Sequence, residues 1–550
     1  MKLFLTSLLL LISSSLFAQV VYEPLHRDVY QYLSRLAQKG VIEFDDQVKP
    51  LSRIYIAEKL NDLNTNQQAL TLLEQDELKF YVMDFDRELK FIRNEKILVE
   101  ELTVAGFDHA GRLRLFSYAD DLFSLNVSPI LGYKIGSRDQ KKLTHMWNGV
   151  YTYGYLSDYL GLSFDFRDNA ESGEAIDKFK RFTPVTGTNE KSDANIPNYS
   201  RNKVEYSEAK TVIALNWKWG NAAIGKDFLE WGYGEGGKLV LSQKAPSFPF
   251  IRLDINPVEW FSFNYIHAWL ASDVIDSSDI YYSIFANPRF RFRDKYLATH
   301  SITVKPLEGL SISLGESIVY SDQLEISYLI PVMFFRLADH YLSRNFNTAG
   351  SNAQFYGSVS SRNHIPNTHL YGTVFIDEIT FTSLFEPQKQ RNQFGFALGG
   401  SIVDLPVNNL TFTLEFTKIY PYVYEHYIST TTYKSASHLL GHWMGHNADQ
   451  IYASVEYRFI RGLKTKLWGQ YIRKGEENDI TGQYIQPQPP FLFGLRKNHS
   501  YLGASVQYEF LHELFAKIEF QTTKSSIQQD DMNFVDRTLD EFYLSVYYGL

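Results

Sequence analysis

A glycine-rich segment near the middle of the chain carries the residue types that bind sugars. It reads Trp231-Gly232-Tyr233-Gly234-Glu235-Gly236-Gly237-Lys238. Aromatic rings stack on the apolar faces of sugars, Glu and Lys side chains bond hydroxyl and carboxylate groups, and glycine lets the backbone approach a ligand closely. The alternative is a tight loop anchored by the aromatic residues that border the lipid around a membrane barrel.

A second candidate is a row of three histidines. His438, His442 and His446 recur every four residues. On a helix this spacing would place three imidazoles along one face, as in a zinc site. The two intervening glycines weaken a helix, and no carboxylate spacing accompanies the histidines. We therefore predict polar contacts within a loop here and no metal.

Composition and motifs argue against most other chemistry. The 550 residues include no Cys, which excludes Cys-ligated zinc, iron–sulfur clusters, disulfide scaffolds and thiol catalysis. No nucleophile elbow, P-loop or metalloprotease motif occurs, and no carboxylate pair can be assigned the separation that a glycosidase needs. The balance of 54 basic against 63 acidic residues argues against nucleic-acid binding. The prediction is a non-enzyme without a cofactor or metal and with no nucleic-acid partner.

The first residues have the pattern of a secretory signal peptide. Lys2 precedes an apolar stretch over residues 3–12, and the small residue Ala18 marks the expected cleavage position. We predict that residues 1–18 are removed. Elsewhere the longest apolar run, Tyr328–Phe335, contains a proline and is far shorter than the roughly 20 residues of a spanning helix. The exported chain is therefore either soluble or crosses a membrane as a β-barrel.

The region before residue 100 has a helical period. Apolar residues recur at helical spacing from Val29, and Gly40 stands where a C′ residue would end that helix. Ser52 can cap a second helix, and a third run covers residues 69–89. The sequence predicts a small α-helical domain of about three helices over residues 19–100, acting as a plug or as a periplasmic cap.

From about residue 107 the period changes to two. Val506, Tyr508 and Phe510 alternate with polar residues up to a turn at His512-Glu513, and similar hairpins recur upstream. Tight turns are predicted near residues 161, 220, 257, 307, 406, 461 and 512, and long polar segments at 169–207, 271–295, 321–350, 418–450, 474–499 and 524–539. Tight turns at one end and long loops at the other are typical of outer-membrane barrels.

The hairpin spacing sets the size of this barrel. About 440 residues at roughly 50 per hairpin give about 18 strands. The predicted fold is an all-β transmembrane barrel of about 18 antiparallel strands over residues 101–550, following the small N-terminal α-helical domain. Residues predicted to face lipid are Phe396, Phe412, Tyr457 and Phe520; residues predicted to face the lumen are Glu415, Lys464, Lys466 and Glu519.

Several segments together resemble a known family. They are Gly40–Ile42 with Lys49–Arg53, Trp231–Gly234 with Leu239–Ser242 and Pro246–Pro249, Tyr328–Arg336, Leu370–Glu378, Leu414–Thr417, Tyr427, Tyr433, Leu440–His442 and Gly445–Asp449. In order and coverage they are similar to the capsule assembly Wzi family of outer-membrane proteins, in its Bacteroidetes-type form. The resemblance implies an 18-stranded barrel with a periplasmic-side helical domain that acts as a surface lectin.

The expected function follows from this resemblance. The protein would attach and organise exported capsular or exopolysaccharide at the surface of a Gram-negative cell, in the outer membrane. An oligosaccharide-selective porin is the alternative, and a glycan-modifying enzyme is less favoured. Expected partners are the polysaccharide and outer-membrane lipid, with the polysaccharide export machinery a further candidate; a monomer is expected. The predicted polysaccharide-binding residues are Trp231, Tyr233, Glu235, Lys238, Arg336, His426, Tyr433, His442 and Trp443.

Overall fold

The computed structural model describes most of the chain. The described residues are 20–95, 101–157, 159–188, 198–346, 350–379, 392–477, 479–485 and 487–549. The predicted signal peptide and the domain boundary predicted at residue 100 lie outside them. Within the described residues, the helices are all too short or too polar to cross a membrane.

Within residues 20–95, four helices form the N-terminal domain: α1 (Val29–Gln38), α2 (Arg53–Thr65), α3 (Leu72–Asp84) and α4 (Asp86–Ile92). The third predicted helix is thus two helices, which break at Phe85. Their apolar faces share one core, in which Leu33, Leu36 and Leu60 are fully buried. A 3₁₀ turn, Gln67–Ala69, precedes α3.

The ends of the first two helices follow the sequence prediction. The Ser52 hydroxyl accepts the backbone N–H of Tyr55 at 3.3 Å, as an N-cap does. Gly40, with φ of +70°, donates its N–H to the Ala37 carbonyl, and Val41 donates to Leu36. This pair of bonds is a Schellman motif, which favours glycine at C′ because that position is left-handed.

Eighteen strands of the described chain close a ring in which every neighbouring pair is antiparallel. They are β1 (Phe123–Arg138), β2 (Lys141–Leu156), β3 (Leu160–Gly173), β4 (Lys203–Trp217), β5 (Gly220–Asp227), β6 (Phe248–Val258), β7 (Phe261–Tyr282), β8 (Pro288–Leu307), β9 (Leu310–Ser321), β10 (Asn352–Arg362), β11 (Thr368–Glu378), β12 (Gln393–Val403), β13 (Leu410–Ile419), β14 (Ala448–Ile460), β15 (Leu463–Lys474), β16 (Lys497–Leu511), β17 (Leu514–Gln528) and β18 (Phe534–Tyr548). β18 pairs with β1 from Glu541↔Arg138 to Tyr548↔Leu131 and closes the barrel. The predicted fold and strand number are confirmed.

Short elements complete the architecture. A hairpin of Glu101–Phe107 and Leu113–Ala119 pairs with the first residues of β1. A helix, α5 (Phe335–Phe346), lies between β9 and β10. In the part of the chain that the structure describes, the remaining short strands are Asn198–Ser200, Val48–Lys49 with Glu230–Trp231, and Lys434–Ser435 with His438–Leu439. The remaining 3₁₀ turns described there are Ile326–Leu329, Ser429–Thr431 and Ile480–Tyr484.

The two ends of the barrel differ, as predicted. Tight turns join β4 to β5, β8 to β9 and β14 to β15 at one end, while most long connections lie at the other. Two predicted loops are wrong, because 271–295 and 524–539 are mostly strand: β7 continues to Tyr282 and β17 to Gln528. Polar composition is misleading in these two segments. Their strands are paired through the backbone, but their side chains remain exposed, so the sequence resembles that of a loop.

Strand alternation sorts side chains between the outer wall and the lumen. On β13, Leu414 is 51 % exposed on the outer wall, whereas Thr413 and Glu415 are buried inside. Phe412 and Phe520 lie on the outer wall as predicted. On the inner face, Lys464 makes an ion pair with Asp28 of the helical domain at 2.7 Å.

The helical domain docks against the tight-turn end of the lumen. Arg362 on β10 pairs with Asp46 at 2.6 Å, and both side chains are buried. Arg458 on β14 pairs with Glu77 of α3 at 2.5 Å. These charges are taken from water together and compensate each other, so the domain is held by specific contacts with the inner wall.

Candidate functional site

The glycine-rich segment lies inside the barrel. It belongs to the connection between β5 and β6, residues 228–247, which we call the inner loop. Its strand Glu230–Trp231 pairs with Val48–Lys49 of the helical domain, and Gly232 donates its N–H to the Gln47 carbonyl at 2.8 Å. The inner loop therefore crosses the lumen from the long-loop end to the helical domain.

A second connection folds onto the inner loop. Residues 420–447, between β13 and β14, form what we call the covering loop. The hydroxyls of Tyr424 and Tyr433 donate to the carbonyls of Leu239 and Val240 at 2.7 and 2.9 Å. The Trp443 indole N–H donates to the Gly236 carbonyl at 2.7 Å. The two loops form one packed partition within the barrel.

The glycines of the inner loop are required by this packing. Gly237 has φ of +151°, and a Cβ at this position would lie 2.4 Å from His442 Nε2. Gly234, with φ of +130°, would place a Cβ 2.4 Å from the Gly237 carbonyl oxygen. Only glycine combines this backbone with so close an approach.

Glu235 ties the inner loop to the barrel wall. Its carboxylate pairs with Lys466 on β15 at 2.6 Å and accepts the hydroxyls of Tyr452 and Ser454, each at 3.1 Å. Burial alone would raise the pKa of the Glu235 carboxyl, but Lys466 and the hydroxyl donors outweigh it and hold that pKa below its ordinary value. Glu235 is therefore ionised at neutral pH.

A second carboxylate reaches the same loop from the wall. Glu415 accepts the backbone N–H groups of Glu235 and Gly236, both at 2.7 Å, and also the Tyr371 hydroxyl. Two acids from opposite directions thus fix the loop where its glycines leave the backbone exposed. Their surroundings are complete without a ligand, which indicates a positioning role.

A cavity of about 840 Å³ lies beside the partition toward the long-loop end. We call it the upper cavity. Among the described residues it is lined by six basic side chains (Lys134, Arg138, Arg167, Lys180, Lys238, Lys244), seven acidic ones (Glu171, Asp177, Glu208, Glu230, Glu235, Glu519, Glu541) and aromatic rings that include Trp443, Trp468 and Tyr543. Hydroxyl-rich ligands suit such a lining, because rings offer stacking surfaces and both donors and acceptors are present.

Most of the lining cations are paired with carboxylates. Lys180 pairs with Glu171 at 2.8 Å, and Lys238 pairs with Glu230 at 3.1 Å. Lys244 differs: within the described part of the chain, no carboxylate lies within ion-pair distance of its ammonium.

The Lys244 ammonium is held by carbonyl oxygens. It donates to the backbone carbonyls of Val185, at 3.0 Å, and Lys180. An ammonium has three donors, and two of them are used by these carbonyls. Lys244 lines the upper cavity although it is only 2 % exposed. Burial lowers the pKa of Lys244 to about 8. Sequence reasoning missed Lys244, because a single lysine in a Gln-Lys-Ala-Pro stretch carries no motif.

The structure brings together some of the predicted binding residues. Glu235, Lys238 and Trp443 line the upper cavity. Glu235 and Lys238, with Tyr233, also line a cavity of about 460 Å³ toward the helical domain. There the Tyr233 ring lies 5.7 Å from the Arg362 guanidinium.

The other predicted residues lie elsewhere. Trp231, Tyr433 and His442 are at most 2 % exposed within the partition. His426 bonds Thr431 Oγ1 at 2.6 Å within the covering loop. Arg336 lies on α5, outside the lumen, and pairs with Asp339.

The three spaced histidines lie in the covering loop rather than on a helix. His446 Nδ1 accepts the Tyr422 N–H at 3.2 Å, and His442 Nδ1 accepts the Met444 N–H at 3.3 Å. Burial lowers the pKa of His442 to about 3, so its imidazole is neutral at physiological pH. Across the described residues, no group of three or more His, Cys, Asp or Glu side chains could hold a metal ion.

Comparison with known proteins decides the family. The family model for the capsule assembly protein Wzi matches residues 116–536, well over half of the chain. The chain belongs to the Wzi capsule assembly family. A sequence search of curated proteins finds no significant match.

Among solved structures, the Wzi barrel of Escherichia coli superposes with a TM-score of 0.56 at 12 % identity, covering 97 % of this chain and 100 % of that one. It is described as an outer-membrane protein involved in group 1 capsule assembly and as a carbohydrate-binding β-barrel. Pseudomonas aeruginosa OprD has a TM-score of 0.40 at 13 % identity, covering 78 % of this chain and 94 % of that one. Acinetobacter baumannii OccAB4 has a TM-score of 0.44 at 10 % identity, covering 78 % and 97 %. At these identities the Wzi match supports the barrel fold.

Proposed function

We propose that this Wzi-family protein is an outer-membrane, lectin-like barrel that holds exported capsular or exopolysaccharide at the cell surface. Its family membership supports a role in capsule assembly, and the carbohydrate binding described for the Escherichia coli barrel supports a sugar ligand. We further propose that the chain acts as a monomer, is exported by cleavage after Ala18 and receives its polysaccharide from the export machinery.

The observation that carries the proposal is the upper cavity. Its aromatic rings and mixed charges fit a sugar better than an apolar ligand. The third N–H of the Lys244 ammonium would contact a sugar carboxylate or another anionic substituent, because a charge-assisted hydrogen bond is worth most in a buried site. Retention of long polymer then needs only modest affinity per protein, since many barrels engage one chain.

The direct test is binding of oligosaccharides, cut from the polysaccharide of the producing strain, to the purified barrel in detergent. Lys244→Met should weaken binding of acidic fragments about tenfold or more, because it removes one hydrogen bond to a charged group. Lys203→Met is the matched control, since Lys203 is on β4 outside the cavity lining and 48 % exposed. Unchanged affinity in Lys244→Met would remove this cavity from the proposal.

An oligosaccharide-selective porin is the second candidate. A cavity of about 570 Å³, here called the lower cavity, lies between the helical domain and the barrel wall. Its lining shares His145, Arg167, Asn169 and Glu208 with the upper cavity, so the two adjoin along one wall. Planar-bilayer recording separates the candidates: a steady, solute-blocked current favours the porin, and its absence favours the lectin.

A further inference from the structure

The connection between β9 and β10 lies against the outer wall of the barrel. On β9, Ile312, Leu314, Glu316, Ile318 and Tyr320 all point outward by strand alternation. Leu314 is 68 % exposed, but Glu316, Ile318 and Tyr320 are at most 3 % exposed. Residues 326–346, here called the outer segment, cover this part of the wall, which lies toward the long-loop end.

The covered patch carries polar groups among its apolar side chains. The Tyr265 hydroxyl donates to the Tyr328 carbonyl at 2.8 Å, and His267 Nε2 bonds the Tyr320 hydroxyl at 2.7 Å. His300 packs against the Phe335 ring at 4.5 Å. Ionisable side chains on a lipid-facing wall are costly, so their presence here requires a cover.

Glu316 fixes the start of α5, the helix of the outer segment. Its carboxylate oxygens accept the backbone N–H groups of Phe335 at 2.8 Å and Arg336 at 2.6 Å, the first residues of α5. The first N–H groups of a helix lack partners within the helix, and a carboxylate there is favourable. The contact ties the helix to the barrel wall from the outside.

The helix presents three faces, since successive residues are about 100° apart around its axis. Phe335, Ala338 and Leu342 pack on the barrel. Leu337 and Tyr341 point away from it and are 65 % and 58 % exposed. Arg336 and His340, both exposed, share a third, polar face.

The exposed apolar face continues the apolar wall. Val332 and Ile326, before the helix, are 78 % and 73 % exposed. Below the segment the outward side chains of the neighbouring strands are Leu314 and Val359, 68 % and 47 % exposed. A helix with one apolar face beside an apolar belt and one polar face is typical of a membrane interface.

We propose that residues 326–346 form an interfacial anchor. Its Leu337 and Tyr341 face contacts the acyl chains of the surrounding lipid, and its Arg336 and His340 face meets the headgroups and water. The anchor shields the polar patch of β7 to β9 and fixes the depth of the barrel in the bilayer. The proposal rests on placement of the barrel in the outer membrane and not on carbohydrate binding.

The absence of cysteine from the sequence allows a clean test with single spin labels. Leu337→Cys and His340→Cys probe the two outer faces in protein reconstituted in phospholipid vesicles. Leu314→Cys is the lipid-facing control and Asp531→Cys, in the β17–β18 turn, is the aqueous control. At each labelled position, the rate at which the spin label collides with apolar oxygen is compared with the rate at which it collides with a water-soluble nickel chelate.

The expected result is that Leu337→Cys matches Leu314→Cys, with oxygen favoured, and that His340→Cys shifts toward Asp531→Cys. Nickel access at Leu337 equal to that at Asp531 would overturn the anchor. Exclusion of both reagents would also overturn it, in favour of a protein partner on this face. If Leu337→Cys does not fold, Val332→Cys makes the same comparison outside the helix. Nickel access at Leu314 would instead contradict the placement of the barrel in the membrane.

Discussion

The Glu235 carboxylate is predicted to hold the partition against the barrel wall. Glu235→Gln keeps the shape of the side chain and an oxygen that accepts from Tyr452 and Ser454, but it loses the charge attraction of Lys466. Glu235→Ala removes the acceptor altogether and leaves four polar groups without it: the Tyr452, Ser454 and Thr413 hydroxyls and the Lys466 ammonium. The two substitutions therefore separate charge from hydrogen bonding.

The expected free-energy costs follow from the exposure of the Glu235–Lys466 pair and from the number of hydrogen bonds lost. The side chains of Glu235 and Lys466 are 37 % and 29 % exposed to the internal cavities, so water screens their pair. We expect Glu235→Gln to cost about 0.5–1 kcal/mol. Glu235→Ala loses four hydrogen bonds at about 1 kcal/mol each, or about 4 kcal/mol in the free energy of loop closure.

Hydrogen exchange at the inner loop measures this free energy. The Gly236 amide donates to Glu415 and exchanges only when the loop opens. Its exchange should accelerate about 1000-fold in Glu235→Ala and about two- to five-fold in Glu235→Gln, since 1.4 kcal/mol is a factor of ten. Glu205→Gln is the control, because Glu205 is 42 % exposed in a surface pair with Lys203.

A double-mutant cycle identifies the partner. Lys466→Met should cost about as much as Glu235→Gln, and the double variant should cost less than the sum of the two. If the Gly236 amide exchanges at an unchanged rate in a folded Glu235→Ala barrel, Glu235 does not hold the partition against the wall. Full additivity would show that the two side chains do not interact.

Further predictions concern the helical domain and the upper cavity. Asp46→Asn should cost about 3 kcal/mol in domain docking, read by thermal unfolding, because it leaves Arg362 uncompensated. Burial raises the pKa of Asp46, but Arg362 outweighs it and lowers that pKa, so the pair is fully stabilising at neutral pH and is lost only as the pH falls through the lowered pKa. Gly40→Ala should lower the free energy of unfolding by about 1–2 kcal/mol, because φ there is +70°; no change in the melting temperature would contradict it. Affinity for acidic fragments should hold below pH 8 and fall above it, as Lys244, with a pKa of about 8, loses its proton; a flat profile in a titration would contradict this.

Local signals in the sequence predicted much of the fold. Gly40 and Ser52 marked helix ends because a left-handed C′ position and an N-cap each need particular residues. The strand number followed from the spacing of tight turns, since each hairpin must return to the same end of the barrel. These features depend on a few neighbouring residues.

The site was less predictable, because it depends on where loops fold. The sequence around Trp231 and Tyr433 does not show whether these aromatic side chains are exposed or buried. Both are buried in the structure, because the inner loop and the covering loop pack together around them. Lys244 gains its character from two distant carbonyls. The apolar run Tyr328–Phe335 does not by itself show where it packs, because its position on the outer wall depends on Glu316, from another strand.

We propose above that this barrel retains polysaccharide at the cell surface. The most direct measurement compares cell-bound with shed polysaccharide in a strain from which the gene is deleted, with and without the gene restored. Deletion should move polysaccharide from the cells to the medium without reducing its total, and restoring the gene should reverse this. Polysaccharide that stays fully attached to the deletion strain would contradict the claim.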